Sequence, residues 1–185
     1  MANNDKPNVV YILTDQWRAK ATGNNGDANA ITPNIDRLAA ESVNFANAIG
    51  TSPVCTPARA ALLTGRFPTT TGMFMNDIPL SPDEKSIGKA FKAGGYATAY
   101  IGKWHVDGHG RASYIPPERR QGFDYWKVLE CTHDYQHSEY YDGNDEQIKK
   151  WPGYDAYAQT KDACTYIEDH KDNPFFLLLS LGPPH

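Results

Sequence analysis

Apolar and polar positions along the chain change period several times, and each change marks an element. "NVVYILTD", Asn8 to Asp15, is nearly continuous apolar sequence rich in β-branched residues, the pattern of a strand buried on both faces of a parallel sheet, and it stops at Asp15. "TPNIDRLAAESVNF" then places Ile35, Leu38, Ala39 and Val43 on one helical stripe, with Thr32 as N-cap and Pro33 at the first helical position. Residues 60–64 read as a helix closed by Gly65, with Thr56 and Pro57 at its entrance. "SIGKAFKAGG" is a helix capped by Ser86, turning Ile87, Ala90 and Phe91 inward and stopping at Gly94 or Gly95. "YATAYIGKWH" predicts a second internal strand. From 106 to about 153 the chain is polar, aromatic and broken by Gly and Pro, which predicts long surface loops with one short strand around "FDYWKVL". Helical spacing returns in "YDAYAQTKDACTYIEDH" through Tyr157, Cys164 and Ile167, and "PFFLLLSL" is a third buried strand.

Strands alternating with helices predict an α/β fold with a mostly parallel sheet sandwiched by helices. The final strand runs into "GPPH" with no helix behind it, so residues 1–185 are expected to be the N-terminal portion of a longer single domain, incomplete at the C-terminus.

In open α/β sheets ligands bind beyond the carboxyl ends of the strands. That rule selects Asp15 after the first strand, Lys103 and His105 after the second, and His185 after the third. Alternation puts Ala99, Ile101, Lys103 and His105 on one face, and a cation beside an imidazole suits an anionic ligand. The other reading is a strand turning polar as it leaves the core. Cys55 lies at a helix entrance, where free N–H groups and the helix dipole favour anions and lower a thiol pKa, and Arg59 follows one turn later. A buried cysteine and a surface arginine would give the same local pattern.

Composition narrows the classes. Hydrophobic residues at 40% and charged residues at 22% fit a folded domain, while a net charge of -4 with scattered Lys and Arg argues against nucleic acid as a partner. No apolar run can span a bilayer, so no membrane partner is expected. "MANNDKPN" has no apolar leader, which predicts a cytoplasmic protein, or a periplasmic or secreted one if a signal has been removed. The three cysteines, Cys55, Cys131 and Cys164, form no C-x-x-C pair; a Cys131–Cys164 bridge stays open, against Cys164 as a small core hydrophobe. "CTHDYQHSEYYDGNDE" offers Cys131, His133 and His137 as metal ligands, against a solvated loop at a cleft mouth.

"CTPAR" followed by "AALLTGRFPTTTGM" closely resembles the signature of the formylglycine-dependent (type I) sulfatases. "PNVVYILTDQWR", "TPNIDRLAAESVNFANA", "GKWH", "GFDYW" and "PFFLLLSLGPPH" resemble further blocks of that family, in its order. The resemblance covers the N-terminal part of a sulfatase catalytic domain, whose fold is similar to alkaline phosphatase. It implies that a separate formylglycine-generating enzyme oxidises Cys55 to an aldehyde, recognising a segment that includes Pro57 and Arg59. One hydroxyl of the hydrated aldehyde would attack the sulfur of a sulfate ester; deprotonation of the other would expel sulfate and restore the aldehyde. The same resemblance implies Ca²⁺, or Mg²⁺ or Mn²⁺, on Asp15, Gln16 and position 55. Arg59 would hold the formylglycine oxygen, Lys103 a sulfate oxygen, His105 the formylglycine hydroxyl, and His185 the sulfate or the leaving oxygen. The substrate would be a sulfated small molecule or carbohydrate, with His133 and His137 near its organic part.

Two departures qualify this. Gln16 stands where many sulfatases have a second acid, and phosphonate monoester hydrolases carry the same Asp-Gln pair, so a phosphonate monoester or phosphodiester hydrolase is the alternative; Lys103 with His105 favours sulfate. The family's later metal ligands and a further lysine have no counterpart in this chain, which is therefore expected to be inactive alone. A truncated, non-catalytic anion-binding remnant is the reading from another class, and a thiol enzyme using Cys55 directly lacks a local partner set.

Overall fold

The computed structural model describes residues 6–185. The first five residues, part of the segment read for a leader, lie outside the described residues. Six strands form one sheet in the order β1-β6-β2-β3-β4-β5: β1 (Val9–Asp15), β2 (Ala97–Lys103), β3 (Tyr125–Leu129), β4 (Glu139–Asp142), β5 (Lys149–Lys150) and β6 (Phe175–Pro184). The pairs β1–β6, β6–β2 and β2–β3 are parallel, and β3–β4 and β4–β5 antiparallel. The carboxyl ends of the four parallel strands therefore open on one edge, as the strand-end argument requires.

Alternation along β6 sorts the core into two layers. Phe176 and Leu178 pack with Tyr100, Trp104, Trp126 and Leu63 of α2 (Cys55–Thr64), on the side that also carries α4 (Ile87–Ala93). Phe175, Leu177 and Leu179 meet Ala163 and Tyr166 of α5 (Asp155–His170) on the other. Each fully buried large apolar side chain contributes about 1.5–3 kcal/mol. Ser86 caps α4 as predicted, its hydroxyl accepting the Lys89 N–H at 3.3 Å. Two further helices, α1 (Pro33–Ala40) and α3 (Pro68–Thr71), complete the set.

Four expectations change. β1 forms, but at the sheet edge, with Val10 and Ile12 exposed by 44% and 61%. α1 forms too, yet ends at Ala40, and its stripe faces solvent: Leu38 and, beyond the helix, Val43 are exposed. Periodicity predicts an amphipathic element without saying what covers it. The stretch 106–153 is not merely surface loop, because its aromatic residues Phe123, Trp126, Tyr141 and Trp151 are buried around three strands. In α5 the buried positions are Asp155, Gln159, Ala163 and Tyr166, so Tyr157 and Cys164 point outward. Two of the inward residues are polar, which hid the true stripe. All three cysteines are free, with Cys131 buried and Cys164 exposed.

Past the end of β3, Glu130 is buried, and its Oε1 accepts the N–H groups of Asp107 at 2.8 Å and Gly108 at 2.9 Å. Its Oε2 has no hydrogen-bond partner among the described residues. Burial pushes its pKa up to about 7, against the smaller opposing effect of the backbone donors. The folded chain thus holds a proton that the unfolded chain releases between about 4.5 and 7, so this group's contribution to stability rises as pH falls through that window. Glu130→Gln keeps an acceptor and deletes the charge. Thermal unfolding should show the variant more stable than its parent at alkaline pH, on the order of 1–3 kcal/mol, with the difference shrinking toward acid pH. A difference independent of pH would mean that Glu130 does not titrate in this range.

Candidate active site

Asp15 ends β1 at a register shift that sets it opposite Pro184 rather than continuing the ladder, and this brings it beside the chain end of β6. It is only 8% exposed. Its Oδ2 accepts from Lys103 Nζ at 2.6 Å and from Arg59 Nη2 at 3.3 Å, and lies 3.6 Å from His185 Nδ1. Burial alone would raise its pKa. The Lys103 hydrogen bond and the charges of Arg59, Lys103 and His185 outweigh that and hold the carboxyl below its usual range.

Cys55 opens α2, one residue before the predicted entrance, and its Sγ lies 3.9 Å from both Asp15 oxygens and from Lys103 Nζ. One turn on, Arg59 is buried rather than on the surface: Nη1 donates to the Lys103 carbonyl at 2.9 Å and to Ser180 Oγ at 2.7 Å. Ser180 in turn donates to the Lys103 carbonyl at 2.7 Å, joined there by the Tyr100 hydroxyl at 2.8 Å. The main chain at Lys103 is therefore fixed from three directions. Ser180 was visible only as the one polar residue inside "PFFLLLSL".

His105 departs from the alternation argument. β2 ends at Lys103, and the left-handed backbone of Gly102 (φ 103) and His105 (φ 58) breaks the period of two. The imidazole is buried, with Nε2 3.2 Å from Asp77 Oδ1, and its backbone oxygen accepts from Thr56 Oγ1 at 2.7 Å. Burial, then the Lys103 charge, lowers its pKa to about 4 despite Asp77, so the ring is neutral at pH 7. Sequence reasoning missed Asp77 and Asn76, whose loop carries no periodic signal; Asn76 Oδ1 accepts the Thr56 N–H at 2.9 Å.

Asp15, Cys55, Arg59, Lys103 and His185 thus meet at one point, with His105 tied to the residue after Cys55. Gln16 lines the same cleft, about 650 Å³, with Asp15, Cys55, Arg59, Asn76 and His185. Donor atoms of Asp15, Cys55 and His185 lie within 4.8 Å of one another, the one such group of His, Cys, Asp or Glu among the described residues. The other set fails: Cys131, His133 and His137 do not converge, and His137 is exposed and bonded to Asp134. His133 stands at the mouth instead, its ring 4.6 Å from that of His185. The buried Asp15 carboxylate and the Gln16 carboxamide, positioned on one cleft, are hard oxygen donors fitting a hard divalent cation, which takes six to eight oxygens in the case of Ca²⁺.

No helix among the described residues is long and apolar enough to cross a membrane. The sulfatase family profile matches residues 7–185. The ulvan-active sulfatase of Formosa agariphila is 56% identical over 182 residues, covering 97% of this chain and 36% of that protein. The crystal structure of yidJ from Bacteroides fragilis superposes with a TM-score of 0.91 at 32% identity, covering 97% of this chain and 44% of that one. A third, BT4656 in complex with its substrate D-glucosamine-2-N,6-O-disulfate, gives a TM-score of 0.85 at 30% identity over 98% of this chain and 35% of that one. The chain spans about a third of the length of the first of these relatives. With a family match over nearly its whole length, and a sheet whose strand ends gather the residues that the motif singles out, the chain belongs to the sulfatase family.

Proposed function

We propose that this chain supplies one side of the active site of an enzyme that hydrolyses a carbohydrate sulfate ester, with formylglycine at position 55. The observation that carries the reading is the convergence of Lys103, Arg59 and His185 on Asp15 beside the Cys55 side chain, with Asp15, Cys55, Arg59 and His185 lining an open cleft of about 650 Å³ and Lys103 buried behind Asp15. The name of the Formosa relative supports a polysaccharide sulfate as the substrate class.

Lys103 would hold a sulfate oxygen; its Nζ lies 3.9 Å from Sγ, and its own carbonyl is fixed by Arg59, Ser180 and Tyr100, which supports that role. Arg59 spends Nη1 and Nη2 on bracing Lys103 and Asp15, so its part in holding position 55 is positional as well as electrostatic. His185, partly exposed and 3.6 Å from Asp15, would give a proton to the departing sugar oxygen. His105, neutral and buried, is a proton acceptor on the α2 side. Asp15 and Gln16 would hold a divalent cation, which when bound would lower the pKa of a hydroxyl at position 55 and screen sulfate charge. A formylglycine generated by a maturing enzyme would present geminal hydroxyls there, a nucleophile that can regenerate by losing a proton.

The Asp-Gln pair also favours a second reading, a phosphonate monoester hydrolase, because a carboxamide leaves the site one negative charge short of an acid pair. Mass spectrometry of the peptide containing residue 55, from full-length protein matured with the modifying enzyme, should find the aldehyde; an unmodified thiol in active protein would sink the mechanism. Turnover of an aryl sulfate should exceed that of an aryl phosphonate monoester by about a hundredfold or more, equivalent to about 2.7 kcal/mol of barrier, and the reverse order would favour the second reading. The 185-residue chain alone should show no turnover above the uncatalysed rate.

A further inference from the structure

His105 is 2% exposed, and its two ring nitrogens have different surroundings. Nε2 lies 3.2 Å from Asp77 Oδ1, while Nδ1 is buried with no hydrogen-bond partner among the described residues. A neutral imidazole carries one N–H and an ionised carboxylate can only accept. We propose that Asp77 is a positioning residue for His105: it accepts the Nε2–H, fixes that tautomer, and leaves the Nδ1 lone pair free as the acceptor. The consequence for catalysis rests on the sulfatase reading above; the tautomer itself does not.

Asp77 is held for this task. Arg111 donates from Nη2 to Asp77 Oδ2 at 2.9 Å and from Nε to Oδ1 at 3.3 Å, a two-pronged grip on both oxygens. These bonds hold the Asp77 carboxyl below its usual pKa range, so it stays ionised. Asp77 and His105 both adopt left-handed backbone, φ 63 and 58, which non-glycine residues keep only where their surroundings insist. The link runs through Thr56, the neighbour of Cys55. Its hydroxyl donates to the His105 carbonyl at 2.7 Å and accepts the Asp77 N–H at 3.4 Å, while its own N–H goes to Asn76. One loop therefore ties the ring's orientation to the first turn of α2. An exposed Asp–Arg pair adds little to stability by itself, so strain kept at both ends of the contact points to orientation as its use.

The test is Asp77→Asn in the matured full-length protein. Arg111 would retain the carboxamide oxygen, turning the amide N–H₂ toward Nε2, which must then accept; the ring would switch to the Nδ1–H tautomer. Two-bond ¹H–¹⁵N spectra of ¹⁵N-histidine-labelled protein should show Nε2–H in the parent and Nδ1–H in the variant. With an aryl sulfate, kcat should fall by about ten- to a hundredfold and KM stay within about threefold, as expected for a wrong tautomer in an intact site. Adding Arg111→Ala frees the carboxamide to rotate, and should restore part of the lost kcat, which a merely structural role would not do. An Nδ1–H parent, or a variant with unchanged tautomer and kcat within about twofold, would overturn the proposal. Should Asp77→Asn not fold, the parent's spectrum still decides between the tautomers. If the parent turns over no sulfate ester, the sulfatase reading fails while the spectra still decide the role of Asp77.

Discussion

Asp15 Oδ2 is shared by Lys103 at 2.6 Å and Arg59 at 3.3 Å, and three parts of the chain that are far apart in sequence meet on that oxygen. Removing two cations and a carboxylate from water costs several kcal/mol per ion, repaid only when the geometry is good and the remaining donors are satisfied. Here they are: Arg59 also reaches the Lys103 carbonyl and Ser180, and Ser180 closes back on that carbonyl. The end of β1, the end of β2, the middle of β6 and the first turn of α2 are thereby fixed relative to one another. Cys55 gains its surroundings from this arrangement rather than from its own neighbours in sequence.

Holding so much polar chemistry at the strand ends requires backbone that ordinary strands do not use. Gly102 takes φ 103 with Ser180 O only 2.1 Å from where a Cβ would stand, so any side chain there would collide with β6. Gln16, Asp77 and His105 are left-handed without being glycine, each at a cost of about 1–3 kcal/mol. Three of the four non-glycine residues with positive φ among the described residues border this one site. The compensating contacts include Thr56 and Asn76 from one side and Glu130, gripping the Asp107–Gly108 turn just after His105, from the other.

The legibility of the fold follows from these two layers of constraint. Strands β2 and β6 were readable as apolar runs because both of their faces are buried, β1 as a run of the same kind although it lies at the sheet edge, and helix α4 by its inward stripe; the ends of those strands pointed to Asp15, Lys103 and His185 before any contact was known. α5 was readable as a helix but not by its inward face, since Asp155 and Gln159 take places an apolar stripe would occupy. The region 106–153 hid β4 and β5 because short strands give too few alternations to stand out from turns. Ser180, Asp77 and Glu130 were out of reach for another reason: each acts through one specific contact across the fold, and a single polar residue has no period.

Lys103 and Arg59 against Asp15 leave one fixed positive charge at the cleft floor, while His105 contributes none at neutral pH. Gln16 adds an oxygen without adding an anion. A second acid in its place would cancel that remaining charge and oppose a bound anion through a medium in which like charges a few ångströms apart interact by several kcal/mol. With Gln16, the floor stays one unit positive before any cation binds, which matches a monoanion, whether a sulfate monoester or a phosphonate monoester. The same residue that weakens the likeness to an acid-pair metal site therefore strengthens the case for a singly charged anionic substrate, and it does so by charge balance alone.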